Sequence, residues 1–84
     1  MEVDHSFVIH PIRSKLVSEV PGITRSCAAL LTKAGYPNAI NLLGQALLAE
    51  DQSQYKAWFV HITGSHQAAT VTYINLKQWI EVNL

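Results

Sequence analysis

From Asn38 to Ala49 the chain carries apolar residues on two adjoining helical stripes. Ile40, Leu43 and Leu47 form one, Ala39, Leu42, Ala46 and Ala49 the other, and Leu48 widens them. A helix on the surface of a small domain needs only one such stripe to meet its own core. The segment therefore predicts a helix whose second face is covered by something else, and a second chain is the natural candidate. Gly44 sits in the middle of this stretch, where glycine costs roughly 0.8–1 kcal/mol relative to alanine. A glycine kept inside a helix usually admits a close neighbour. Two readings stay open at this point: a helix–helix contact across a dimer, and a glycine used for packing within the protomer.

The rest of the chain reads as further helices punctuated by turns. Phe7, Val8 and Ile9 suggest a short helical turn that docks on the body before Pro11 ends it. Leu16, Val17 and Val20 have helical spacing, so a short helix is expected within residues 12–20, closed by Pro21-Gly22. Thr24 has the side chain of an N-cap, and Cys27, Leu30, Leu31 and Ala34 follow at i, i+3, i+4 and i+7. Gly35 is placed to end that helix in the left-handed conformation, and Pro37-Asn38 opens the next. After a polar turn at residues 50–53, Tyr55, Trp58, Phe59 and Ile62 repeat the pattern and Thr63-Gly64-Ser65 stops it. A long last helix is expected from about His66 to Val82, with Ala69, Tyr73, Leu76 and Ile80 on one face and Trp79 and Leu84 extending it. Val71 to Ile74 would also suit a strand, but the spacing out to Ile80 favours the helix. The expected fold is all-α: one domain over residues 1–84, a compact bundle of about five short helices with a helix-hairpin-helix-like element, dimeric.

Composition agrees with an unfinished surface. Of the 84 residues 49% are hydrophobic and 14% charged, against about 25% charged in an ordinary soluble domain. A lone chain of this size buries only roughly 60–65% of its unfolded surface, so a partner chain would add to its stability. Six Lys or Arg balance six Asp or Glu. That disfavours a strong DNA binder, because non-specific affinity comes from cations that displace phosphate counterions. Cys27 is the single cysteine, and the sequence shows neither a leader-like start nor an apolar run of about 18 residues. The expectation is an intracellular, reduced and soluble chain without membrane insertion.

Few residues offer chemistry. Pro21-Gly22-Ile23-Thr24 before a helix has the layout of a helix-hairpin-helix, in which a tight glycine turn aims the amides of a helix N-terminus at phosphate. The usual motif has a second glycine where Thr24 stands, and a plain helix-loop-helix turn explains the segment about as well. His5, His10, His61 and His66 form no i, i+4 pair and have one cysteine to join them, so no metal site is expected. No nucleophile elbow or phosphate loop occurs, so neither catalytic residues nor a cofactor are expected. Cys27 reads as a small buried hydrophobe. Trp58, Trp79, Tyr55, Phe59 and Tyr73 read as core before they read as a platform for stacked bases.

A set of residues then resembles one family in order and spacing. These are Phe7-Val8 with Pro11, Gly22-Ile23, Gly35-Tyr36, Ala39, Leu43-Gly44-Gln45, Leu47, Trp58, Leu76 with Trp79, and the closing Leu84. Together they resemble the barrier-to-autointegration factor family over nearly the whole chain, with a one-residue deletion near Gly64 to His66. The resemblance implies a helical protomer and an obligate dimer. It implies nuclear residence at chromatin or the envelope, with the cytoplasm as a second location, and non-specific bridging of duplex DNA. It also implies a groove across the dimer for LEM-domain proteins of the nuclear envelope. Carried onto this chain, the DNA-contacting positions are Gly22, Ile23, Thr24, Arg25, Ser26, Gln67 and Thr70. The dimer and partner surface is Leu43, Gly44, Leu47, Leu48, Glu50 and Asp51.

The departures fall where the resemblance places DNA. Val3, Leu30, Gln67 and Thr70 stand where the family has cations. Glu2 and Asp4 put fixed negative charge where relatives carry phosphorylatable residues, and Glu50 and Asp51 replace basic residues beside the dimer surface. Two functions from different classes follow. The first is a protein-interaction adaptor that pairs with itself or with a conventional family member and presents a chromatin or nuclear-envelope partner with a groove, double-stranded DNA binding being weak or absent. The second is sequence-independent binding and bridging of duplex DNA, using hairpin amides with Arg25, Lys33, Arg13 and Lys77.

Overall fold

A computed structural model describes residues 3–84, and Glu2 lies outside them. The helices begin where short polar side chains take the orphan amides of a first turn. In α1 (His5–Ile9) the Asp4 carboxylate accepts from the Phe7 amide at 3.2 Å. In α2 (Arg25–Lys33) the Thr24 hydroxyl accepts from the Cys27 amide at 3.1 Å. Asn41 Oδ1 accepts from the Asn38 amide at the start of α3 (Ala39–Leu48). Asp51 caps α4 (Gln52–Thr63), and Ser65 caps α5 (His66–Asn83). These five are the α-helices among the described residues, and the 66–83 region is helix rather than strand.

The α2 terminus closes as its Gly35 suggested. Gly35 takes φ +101°, and the amides of Gly35 and Tyr36 return to the carbonyls of Thr32 and Leu31, at 3.1 and 2.8 Å. This double bond is the paired closure expected of a helix ended by glycine.

The segment before α2 departs from expectation. In place of a short helix within residues 12–20 there is one 3-10 turn, Val17–Glu19, entered through extended backbone at Leu16. The reason is a competing partner outside the segment. The Val17 amide donates to the Pro37 carbonyl and the Ala39 amide to that of Lys15, so the chain is held against the start of α3. Val17 and Val20 are buried, while Leu16 turns outward.

α5 is the longest element, and the others gather around it. It packs on α1, α3 and α4; α4 also meets α2, and the 3-10 turn sits between α2 and α3. Tyr55, Phe59, Leu31, Leu42 and Leu76 are fully buried among them. The terminal regions meet on α5: the Asp4 amide donates to Asn75 Oδ1, the Trp79 indole N–H to the His10 carbonyl, and Asn83 Nδ2 to the Val8 carbonyl. The expected aromatic packing is present. Tyr55, Phe59 and Trp79 are buried, Trp58 and Tyr73 half-buried, and Trp58 meets Tyr36 edge-on at 4.9 Å.

The α2 face is thinner than its spacing suggested, while α3 leaves most of one of its two stripes uncovered within the protomer, as its double pattern predicts. On α2, Cys27 and Leu31 are buried, but Leu30 is 42% exposed and Ala34 is exposed. On α3, Ala39, Leu42, Leu43 and Ala46 enter the core, whereas Ile40, Leu47 and Leu48 remain exposed. Spacing alone gives the stripe, and the neighbours decide how much of it is covered.

Candidate interaction surfaces

The hairpin turn is built by Gly22 at φ +95°, which presses on α5. A Cβ there would lie 2.7 and 2.9 Å from Val71 Cγ1 and Cβ, so only glycine fits both the backbone and the space. Thr24, by contrast, has extended backbone at φ −83°, which any residue adopts. Its replacement of a glycine therefore leaves the turn intact, and its hydroxyl serves as the helix cap. Arg25 and Ser26 follow, exposed, in the first turn of α2, where amides have no carbonyl within the helix to bond.

Gly22 and Thr24 share a small recess with Ser65 and Gln67 at the start of α5. Two helix N-termini therefore open onto one place, which helix dipoles make favourable for an anion. The structure thus brings Gly22, Thr24 and Gln67 together. Half-buried Ile23 packs against the core, and the Thr70 hydroxyl donates to the His66 carbonyl one turn along α5. Arg25 lines a different groove together with Lys33, between α2 and the 3-10 turn. Of the other positions at which the resemblance placed cations, Val3 is half-buried against the core and Leu30 offers exposed hydrocarbon.

The second surface lies on α3. Gly44, Leu43 and Leu47 line an apolar groove of about 620 Å3 whose other wall is Trp79 and Leu84, with Arg13 at its edge. A Cβ on Gly44 would meet nothing within 4 Å. Packing inside the protomer thus does not explain this glycine. Leu48 lies outside the groove at 78% exposure, and Glu50 and Asp51 follow at the α3–α4 corner. The Glu50 carboxylate accepts from Gln54 Nε2 and that of Asp51 from the Gln54 amide, so both acids also fix the corner. The sequence points to Leu43, Gly44 and Leu47 at this surface but not to Pro11, Ile12 and Arg13, which reach the groove because α1 folds back on α5.

Among the described residues no three His, Cys, Asp or Glu side chains gather as metal ligands, and no helix is long and apolar enough to cross a membrane. Asp4, where fixed charge was expected to act on DNA, is occupied as the cap of α1.

Comparison with known proteins agrees with the resemblance carried by the sequence. The family model for barrier to autointegration factor matches residues 2–83. The barrier-to-autointegration factor of Drosophila melanogaster is 33% identical over 78 residues, covering 90% of this chain and 87% of that protein. With the all-helical architecture, the glycine turn before α2 and the α3 glycine in place, the chain belongs to the barrier-to-autointegration factor family.

Proposed function

We propose that this chain is a non-enzymatic, chromatin-associated protein that acts mainly as a dimeric adaptor, with DNA binding weakened relative to its family. The observation that carries the reading is the open space beside Gly44, set in an apolar groove between Leu43, Leu47 and Trp79. A helix-interior glycine that costs roughly 0.8–1 kcal/mol and makes room for nothing in its own protomer has a use if a second chain approaches there. The partner is another copy or a conventional family member, and a groove across the pair would receive a chromatin or nuclear-envelope protein, LEM-domain proteins being the family's example. The nucleus is the corresponding location.

The weakened DNA surface is supported by charge. Val3, Leu30, Gln67 and Thr70 carry no cation, and each lost phosphate contact removes about 0.9 units of salt slope. Light scattering at micromolar concentration, alone and with a conventional relative, tests the dimer. A mass twice that of the chain, or a mixed pair, is expected; a monomer in both cases rejects the adaptor.

One observation favours the second reading, non-specific duplex DNA binding and bridging. The hairpin keeps its glycine geometry and opens onto a recess shared with the start of α5. Backbone amides there need no cation to meet a phosphate. A mobility-shift titration in low and in physiological salt separates the readings. Weak or undetectable binding at both salts is expected of the adaptor, since few phosphate contacts give low affinity with a shallow salt slope; tight binding at both salts that falls with Arg25→Glu restores the DNA bridger.

A further inference from the structure

We infer that this chain carries a second self-contact, head to tail, in which the α3–α4 corner of one copy enters the groove between α2 and the 3-10 turn of the next. The groove, of about 570 Å3, is floored by Leu16, Ala28 and Pro37 and flanked by Arg25 and Lys33. Arg25 and Lys33 are both exposed, and neither is paired with an acid among the described residues. Leu16 contributes apolar surface that is 55% exposed. It is an apolar floor with unspent positive charge on its rim.

The complementary shape is present on the same molecule. Leu48 is the most exposed of the large hydrophobic side chains described, and exposed Glu50 and Asp51 come after it with Ala49 between. Their carboxylates accept hydrogen bonds from Gln54 but meet no cation among the described residues. An exposed leucine with two acids at the same corner matches an apolar groove with two cations in both hydropathy and sign. With zero net formal charge, long-range repulsion between copies does not oppose the approach.

Because groove and corner are different patches, the contact is heterologous and builds rings or open chains rather than closing as a pair. It leaves the Gly44 groove free but draws on Leu48, Glu50 and Asp51 at the edge of the surface that the resemblance gives to a partner, so such a partner would compete with it. The unit that associates is a pair if that reading holds and a single chain if it fails. Rim charges are screened within about 10 Å at 0.1 M salt, so assembly belongs to low salt.

Sedimentation velocity of the full chain over a range of concentrations tests the contact through charge exchange. One variant reverses the groove (Arg25→Glu with Lys33→Glu). The other reverses the corner while keeping a capping side chain on α4 (Glu50→Lys with Asp51→Asn). Circular dichroism verifies that both remain helical. The wild type is expected to grow beyond its basic unit as concentration rises at low salt, each variant alone to lose that growth, and an equal mixture of the two to regain it. The contact is overturned if the wild type never exceeds its basic unit, if either variant grows like the wild type, or if the mixture fails to regain growth.

Discussion

The hydroxyl of Tyr55 on α4 lies 2.8 Å from that of Thr72 on α5, with both residues buried. Thr72 has one proton and donates it to the Ala69 carbonyl at 3.2 Å. Tyr55 is therefore the donor and Thr72 the acceptor in the bond that ties the two longest helices. Thr72→Val leaves a buried phenolic donor unmet and is expected to cost about 1–3 kcal/mol. Tyr55→Phe removes the donor itself and is expected to cost less, about 0.5–1.5 kcal/mol. Urea unfolding of the two variants gives the order.

The same pair sets an alkaline limit. Burial pushes the Tyr55 phenol above its ordinary 10.0, and the hydrogen bond it shares with Thr72 only partly opposes this. The folded state holds the phenolic proton more tightly than the unfolded chain does. Its contribution to stability is complete below the ordinary pKa and is lost as pH rises above it. Stability is expected to fall as pH rises through about 10, with a smaller fall in Tyr55→Phe. Unfolding midpoints on either side of that pH measure the difference.

Gly22 and Gly35 both have positive φ, but they differ in what surrounds them. A Cβ on Gly22 meets Val71 under 3 Å, whereas one on Gly35 meets nothing within 4 Å. Gly35→Ala is expected to cost the backbone penalty alone, about 1 kcal/mol, and Gly22→Ala distinctly more, about 2–4 kcal/mol. Thermal unfolding of both gives the ranking; equal losses would remove Val71 from the explanation.

Gly44→Ala separates folding from association. With nothing near its Cβ, the alanine is expected to stabilise the protomer by up to about 1 kcal/mol through helix propensity. Its methyl group also fills the approach on the α3 face, so the dimer is expected to weaken. Unfolding at high dilution and an equilibrium sedimentation constant read the two effects. Association as strong as in the wild type would place the interface elsewhere.

The helices were legible before any tertiary structure because their signals are local. The cap at Thr24 acts on an amide three residues away, and Gly35 and Gly64 end helices through their own φ. The same holds for Gly44 and the leucines around it, whose 3.6-residue period fixes which residues share a face. What the period does not fix is which face is covered, because burial depends on elements distant in the chain. Leu30 and Leu31 are neighbours in sequence, yet only Leu31 lies under α4 and the core. Residues 12–20 have helical spacing but are drawn into extended pairing with Pro37 and Ala39 at the entry to α3. The α3 groove was likewise half visible: its leucines and glycine follow from the sequence. Its wall of Trp79, Leu84 and Pro11 exists because the first and last segments of the chain meet on α5 through the Trp79–His10 and Asn83–Val8 hydrogen bonds. The sequence by itself determined the helices and their faces. Tertiary structure decided which apolar faces are spent in the core and which remain for another molecule, since that depends on long-range packing.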